Sequence, residues 1–149
     1  MKTLAERIAV EAETWTGTPF YPRQAIKGAG CDCVAMALAI YQRAGAVPPT
    51  VELPAGYKVG NSDHLDRSLV LDWLSGSGLF NPVAEWPSSG DLVVFRVGRV
   101  VHHCGVMLDG HDFMSVTRGY AARRYDIRDS TWHNRFAGAW RPCALNGEG

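Results

Sequence analysis

The chain has 149 residues, and its 15 lysine and arginine residues balance its 15 aspartate and glutamate residues, so its net charge at neutral pH is about zero. The length predicts one domain, residues 1–149. Hydrophobic residues make up 46% of the chain and charged residues 20%, a composition that excludes a disordered chain. Without excess positive charge we expect no nucleic-acid partner, and a domain of this length needs no disulfides, so we interpret the cysteines as thiols.

The beginning of the chain has no pattern of a secretion signal. Its apolar stretches are interrupted by charged residues: Glu6, Arg7, Glu11 and Glu13. A secretory signal needs an uninterrupted apolar region. The longest apolar run, residues 34–41, is also far shorter than the ~20 residues of a membrane-spanning helix. We therefore expect a cytoplasmic protein, as synthesised, without membrane insertion, which a partner must deliver to any external substrate.

Three helices are predicted in the first half of the chain. Apolar residues recur at helical spacing in the first of them: Leu4, Ile8, Ala12 and Trp15. After a loop over residues 20–30, a buried second helix is expected from Cys33 to Ala44, with Gly45 ending it. A third helix is predicted over residues 62–75, with Ser62 as its N-cap.

The second half of the chain changes to short β-branched and apolar runs. These predict strands over residues 91–97, 100–108, 112–116, 124–127 and 136–141. Helices followed by strands favour an α+β fold, with the N-terminal helices packed on a C-terminal antiparallel sheet of about five strands.

Cys33 is the most informative candidate for a chemical role. It lies where a glycine-containing loop meets the start of the buried helix, so the helix dipole lowers the pKa of its thiol. The free N–H groups of the first helical turn are also available to bind an oxyanion. The alternative interpretation is a small cysteine of the core.

A cysteine nucleophile needs a nearby base, and the strand sequence VVHHCGVML offers His102 and His103. Because neighbouring residues of a strand point to opposite faces, only one of them is expected to face Cys33. A structural or exposed histidine is the alternative for either position.

Four sequence blocks occur in an order that resembles the NlpC/P60 family of bacterial cell-wall cysteine peptidases. They are GTPF with KGAGCDCVAM, then GDLVVFRV, then HHCGVMLDGHDFMSV, and finally WHNRFAGAW. The resemblance extends over residues 15–141 and is strongest to single-domain members found with phage tails and related particles. It implies a papain-like fold, no cofactor and no metal, with Cys33 as the nucleophile and His103 as the general base.

The resemblance also assigns a third catalytic position, often a histidine in the family, which is Ser115 here. If residues 108–110 form a three-residue hairpin loop, His103 lies opposite Ser115, whereas a two-residue loop places Val116 there. Serine holds an imidazole less firmly than a carboxylate or a histidine does, which predicts a less well-oriented base.

Three further residues are assigned to the substrate and oxyanion region: Asp32, Tyr21 and Trp86. Asp32 matches the acidic residue that precedes the nucleophile in the family, and capping the helix is its structural alternative. Tyr21 follows Phe20, where relatives often have a tyrosine, but an extended backbone points it elsewhere. Trp86 is expected to line a groove or to belong to the core.

Zinc binding by the cysteines and histidines is a weaker alternative, because the C-x-C and H-H-C spacings are not those of a zinc knuckle. Cys31 and Cys104 are interpreted as spectators, although oxidation of Cys31 is able to trap Cys33.

The resemblance implies a peptidoglycan endopeptidase that acts on the peptide stem, at a bond such as that between D-glutamate and diaminopimelate. A thioester intermediate also permits acyl transfer to an amine instead of hydrolysis. The second hypothesis is a phage tail-tip or particle component whose hydrolase site has decayed into a structural role.

Overall fold

The computed structural model describes residues 1–53, 68–98 and 100–146. Its helices are α1 (Leu4–Glu13), α2 (Cys33–Ala44), α3 (Leu69–Ser77), α4 (Ser130–Arg135) and α5 (Cys143–Asn146). Its strands are β1 (Ala25–Ile26), β2 (Gly30–Cys31), β3 (Phe80–Val83), β4 (Leu92–Val97), β5 (Val100–Met107), β6 (Asp112–Ser115), β7 (Arg123–Asp126) and β8 (Phe136–Pro142). No helix within these described ranges has both the length and the apolar character needed to cross a membrane.

The first two helices follow the sequence pattern closely. A capping box of Thr3 and Glu6 starts α1, which buries Leu4, Ile8 and Ala12. The predicted bounds of α2 are confirmed, and Gly45 ends the helix with φ +87°, a conformation that glycine adopts without strain.

The third helix begins later than the sequence predicts. The Ser68 hydroxyl accepts a hydrogen bond from the Leu71 N–H group at 3.1 Å, so Ser68 is the N-cap of α3. The proposed cap, Ser62, lies outside the described residues.

The main sheet has six antiparallel strands in the order β3-β8-β4-β5-β6-β7, which confirms the predicted antiparallel sheet and adds one strand, β3, to the five that the sequence indicated. The missed strand, β3, contains Pro82, which the sequence presents as a turn signal. Proline is tolerated in a sheet at its edge, and β3 is an edge strand that pairs only with β8 among the described strands. A separate ribbon of β1 and β2 lies within the region predicted as a loop.

The sheet carries a hydrophobic cluster on each face. The helices α1, α2 and α3 cover one face, where Val94, Val106 and Met114 join their core. The other face has an aromatic cluster in which Phe95, Phe113 and Tyr125 pack with Trp132 of α4. The second cluster was not predicted, because α4 is short and shows no helical hydrophobic repeat.

A register shift between β4 and β5 changes which residues face the helices. Phe95 pairs with His103 but Arg96 pairs with Val101, so β5 has one additional residue, His102. As a result Val101 and Cys104 both belong to the helix-side core, although in a regular strand residues three apart point to opposite faces. The simple alternation of the strand is therefore interrupted between Val101 and His103.

Both predicted registers of the β5–β6 hairpin are wrong. Met107 pairs with Phe113 and Val106 with Met114, and residues 108–111 connect the two strands. The Leu108 N–H group donates to the Asp112 carbonyl oxygen at 2.8 Å across this connection. Compared with a three-residue loop, the register moves by two residues, which keeps Ser115 on the same face of the sheet as His103.

An ion pair with a buried carboxylate joins the neighbouring strands β4 and β8 of the sheet. Asp91 is fully buried and accepts hydrogen bonds from Nε and Nη2 of Arg141 at 2.8 and 3.0 Å. The Ser88 N–H group donates to the same carboxylate at 2.8 Å. Asp91, the aspartate of the GDLVVFRV block, therefore links the start of β4 to β8. The strand β4 also pairs with β5, which carries His103.

Candidate active site

The loop before α2 and the carboxylate of Asp32 fix the position of Cys33. Asp32 is the N-cap of α2, and its Oδ1 accepts a hydrogen bond from the Ala35 N–H group at 2.7 Å. Its Oδ2 accepts from the Arg23 N–H group, where the backbone has a positive φ of 58°. Asp32 is fully buried, and these backbone contacts support the capping interpretation.

The first turn of α2 leaves donors near the Cys33 sulfur. Among the described residues, the backbone N–H groups of Cys33 and Val34 have no hydrogen-bond acceptor. Unpaired N–H groups at a helix start point along the axis and stabilise negative charge. They are therefore placed to bind the oxyanion of a tetrahedral intermediate formed at Cys33.

The pKa of the Cys33 thiol lies well below that of an ordinary cysteine. The main cause is a hydrogen bond from the Cys104 thiol; the charge of His103 and hydrogen bonds from His103 and the Cys104 backbone act in the same direction. Burial opposes them by disfavouring the charged thiolate. The pKa of Cys104 is raised well above its ordinary value, chiefly because its thiol is hydrogen-bonded to the side chain of Cys33.

Cys104, interpreted from the sequence as a spectator, is thus a direct neighbour of Cys33. Its sulfur lies 3.4 Å from the carbonyl oxygen of Cys33. Strand alternation places Cys104 on the face opposite His103, so the sequence did not predict that both residues would contact Cys33. Cys31 does not share this chemistry: burial, Asp32 and Cys33 together raise its pKa to about 12.

Ser115 fixes the orientation of the His103 imidazole. The two side chains meet at 3.0 Å between Ser115 Oγ and His103 Nε2. Ser115 Oγ also lies 2.7 Å from the carbonyl oxygen of Cys104, which can only accept a hydrogen bond. The single hydroxyl proton of Ser115 is donated there, so towards His103 the serine accepts, and Nε2 carries a proton.

This assignment leaves Nδ1 as the ring nitrogen that exchanges a proton with Cys33. A serine whose own proton is committed to a backbone carbonyl is a defined acceptor, even though it has no negative charge. The looser orientation predicted for a serine at this position is therefore offset by its second hydrogen bond. Ser115 is fully buried, which protects the contact from competing water.

Trp132 supports the face of the same imidazole. Its ring stacks on His103 with 5.1 Å between centroids and an interplanar angle of 24°. Phe95 packs 5.9 Å from the imidazole centroid, from the strand next to β5. No role was predicted for Trp132, although it is the first residue of the WHNRFAGAW block.

The reacting groups are enclosed in this structure. Cys33 has no exposed surface, and His103 is 6% exposed. A substrate carbonyl reaches the Cys33 sulfur only when neighbouring side chains move aside. The structure therefore combines an assembled Cys33–His103–Ser115 array with a closed approach to it.

The structure does not bring Tyr21 and Trp86 into contact with this array. Tyr21 is 56% exposed, and its N–H group donates to the Cys31 carbonyl oxygen at 2.9 Å. Trp86 is 45% exposed, so the core alternative for it is wrong. Its ring packs 5.7 Å from that of Phe136. Tyr21 and Trp86 remain proposals for more distant substrate contacts.

Within the part of the chain that the structure describes, no group of three or more His, Cys, Asp or Glu side chains is arranged to hold a metal ion. Cys33 and Cys104 contact each other, but Cys31 has a protonated thiol at neutral pH. The neutral thiol is a poor metal ligand. The described residues give the zinc alternative no support.

Comparison with solved structures identifies the fold. The chain superposes on an NLP/P60 family protein similar to a lipoprotein, from Staphylococcus aureus, with a TM-score of 0.63 and 21% identity over 93% of this chain and 41% of that one. It matches the NlpC/p60 domain of the peptidoglycan hydrolase SagA with a TM-score of 0.59 and 16% identity, over 91% of this chain and 96% of the domain. NlpC2 from Trichomonas vaginalis gives a TM-score of 0.63 and 15% identity, over 95% of this chain and 48% of that one.

These likenesses confirm the α+β, papain-like fold, while the chain spans less than half the length of the staphylococcal and Trichomonas proteins. No curated protein matches the chain in sequence. The family model of NlpC/P60 matches residues 17–141, which include the described site residues from Asp32 to Ser115 and Trp132. The chain belongs to the NlpC/P60 family.

Proposed function

We propose that this protein is a cysteine peptidase that hydrolyses an amide bond in the peptide stem of bacterial peptidoglycan. The observation that carries the proposal is the array of Cys33, His103 and Ser115: a thiol of lowered pKa, a base in contact with it, and a hydrogen-bond acceptor that fixes the base. Family membership, and the likeness to a peptidoglycan hydrolase domain, supply the substrate class.

The reaction follows from the positions of these groups. The Cys33 thiolate attacks the carbonyl carbon, and the N–H groups of Cys33 and Val34 hold the oxyanion. Protonated His103 then gives its Nδ1 proton to the leaving amine, and the C–N bond breaks to leave a thioester. His103 next takes a proton from water, which attacks the thioester; the C–S bond breaks, the acid leaves, and the thiolate and the protonated imidazole are restored.

The bond between D-glutamate and diaminopimelate is the substrate implied by the family resemblance, and we retain it as part of the proposal. Association with a phage particle rests on the sequence resemblance alone. The second hypothesis, a decayed structural component, is less compatible with an array whose three members are all in contact or hydrogen-bonded.

Digestion of purified peptidoglycan, followed by mass analysis of the soluble products, tests activity and bond choice together. The protein should release muropeptide fragments with a new amino terminus at the cleaved bond, and Cys33→Ala should abolish their release. Cys143→Ala is the matched control, because this thiol contacts the Gly78 carbonyl oxygen far from the array and should keep full activity. Unchanged cleavage by Cys33→Ala would exclude the mechanism.

Water and an added amine compete for the same thioester, so the products also separate hydrolysis from acyl transfer. Hydrolysis leaves a free carboxylate on the acyl fragment, whereas transfer leaves a new amide. We expect the carboxylate in the absence of added amine.

A further inference from the structure

A groove lies beside the catalytic histidine, on the side of the sheet that carries the aromatic cluster. Its volume is about 310 Å³, which is the size of a site for a small ligand. The groove is lined by Thr117, Tyr120, Arg123, Tyr125, Asp129, Thr131 and Trp132. Trp132 joins it to the site, because the same indole ring stacks on the His103 imidazole.

The chemistry at His103 decides which part of a substrate occupies this groove. The general acid must contact the leaving nitrogen, so the leaving-group fragment lies on the His103 side of the scissile bond. The Trp132 ring, which stacks on His103, also lines the groove. A substrate bound for cleavage therefore extends its leaving-group residue towards the groove, and its acyl part towards α2.

Two opposite charges line the groove. The guanidinium of Arg123 lies 4.5 Å from the centroid of the Tyr125 ring, and the Tyr125 hydroxyl is 3.4 Å from that of Thr117. Asp129 directs one carboxylate oxygen to the Thr131 N–H group at 3.0 Å. Its second oxygen has no hydrogen-bond partner among the described residues.

Arg123 differs from the neighbouring arginines in its lack of an acidic partner. Arg124 pairs with Asp112 at 3.0 Å, and Arg128 pairs with Asp126 at 2.8 Å. No carboxylate among the described residues forms an ion pair with Arg123, which is held over an aromatic ring instead. A cation fixed in this way can form charge-assisted hydrogen bonds with a carboxylate of a ligand.

We infer that the groove binds the free amino-acid end of a diamino acid residue on the leaving-group side of the scissile bond, with Arg123 on its carboxylate and Asp129 on its ammonium group. This inference rests on the proposed function. In diaminopimelate a short aliphatic spacer separates the amine released by cleavage from a second centre that carries both charges. Lysine has the distant ammonium group but no carboxylate there.

A pair of synthetic tripeptides tests the inference: L-alanyl-γ-D-glutamyl-diaminopimelate and the same peptide with lysine in the last position. The wild-type protein should cleave the diaminopimelate peptide with a kcat/KM about tenfold higher, as expected for one charge-assisted contact. Arg123→Gln should remove most of this preference by raising KM. Arg128→Gln, which changes an exposed arginine outside the groove, should keep it.

The possible outcomes test the assignment of the groove separately from the proposed peptidase activity. If the wild-type protein cleaves both peptides equally well, or if Arg123→Gln keeps the preference, the assignment of the groove is wrong while the proposed activity stands. If neither peptide is cleaved, the proposed activity fails for these substrates. The groove is then tested by titrating meso-diaminopimelate and following the Trp132 indole signal by NMR: saturable shifts lost in Arg123→Gln support it, and unchanged spectra overturn it.

Discussion

Replacing Ser115 with alanine removes the hydrogen-bond acceptor that fixes His103, the proposed general base. The wild-type hydroxyl lies 3.0 Å from His103 Nε2 and 2.7 Å from the Cys104 carbonyl oxygen, and all three residues are buried. In the Ser115→Ala variant the Nε2–H group has no acceptor and the imidazole is free to rotate about its side-chain bonds. The change keeps the backbone and adds no bulk.

The size of the effect follows from the cost of a buried donor without a partner, about 1–3 kcal/mol. Because about 1.4 kcal/mol corresponds to a factor of ten, kcat/KM should fall about 10- to 100-fold if the cost appears in the transition state. The loss should appear mainly in kcat, since Ser115 does not contact substrate. The free energy of unfolding should fall by a similar amount, because the Cys104 carbonyl oxygen also loses its donor.

Steady-state cleavage of the diaminopimelate tripeptide measures the kinetic effect, and denaturant unfolding measures the stability. The NMR signal of the His103 Nε2 proton gives a separate readout: it should be visible in the wild-type protein and lost to solvent exchange in Ser115→Ala. Ser77→Ala is the control, because its hydroxyl lies 3.4 Å from the Leu74 carbonyl oxygen away from the site. Wild-type kcat and a retained Nε2 proton in Ser115→Ala would refute the role assigned to this serine.

Two further changes test the surroundings of the site. Cys104→Ala should raise the pKa of Cys33, because it removes the largest stabilising contact of the thiolate. Cys104→Ser retains a hydrogen-bond donor and should keep this pKa low. The ultraviolet absorbance of the thiolate over a pH series measures the pKa in each variant, with Cys33→Ala as the blank. Gly105→Ala should destabilise the fold by about 1–3 kcal/mol, because its methyl group would lie 2.4 Å from Cδ2 of Phe113, while Gly76→Ala meets open space in α3 and should be neutral or stabilising in the same unfolding assay.

The lowered pKa of Cys33 also sets the direction of the pH dependence. A group whose pKa is lower in the folded state than in the unfolded chain stabilises the fold above the unfolded-state pKa, and this contribution is lost as the pH falls through the folded-state pKa. The thiolate is therefore populated well below the pH at which an ordinary cysteine ionises. In Cys104→Ala the onset of activity should move to higher pH.

Local patterns in the sequence predicted those elements whose formation depends on neighbouring residues. The helix over Cys33–Ala44 has its N-cap, its apolar residues and its terminating glycine within one continuous segment. The strand Phe80–Val83 was missed because its pairing with β8 joins residues far apart in the chain, and the local Asn-Pro pattern indicates a turn.

Contacts across the fold account for what the sequence left unassigned at the site. Trp132 stacks on His103 from a helix of six residues, and nothing between positions 103 and 132 predicts that the two rings meet. The contact of Cys104 with Cys33 was missed for a similar reason: strand alternation places Cys104 and His103 on opposite faces, and only the packing of α2 brings both to Cys33.

The hairpin between β5 and β6 explains why a wrong register still joined the right residues. The side-chain pattern of a strand repeats every two residues, and the observed register differs by two from that of the three-residue loop. Continuing this register places Gly105, rather than His103, opposite Ser115, so the serine reaches the imidazole diagonally across the ladder. The ring of Phe113 and the Met114 carbonyl oxygen occupy the space where a side chain at Gly105 would begin. The glycine two residues after the base is therefore needed for the close approach of β6, which brings Ser115 within hydrogen-bond distance of His103.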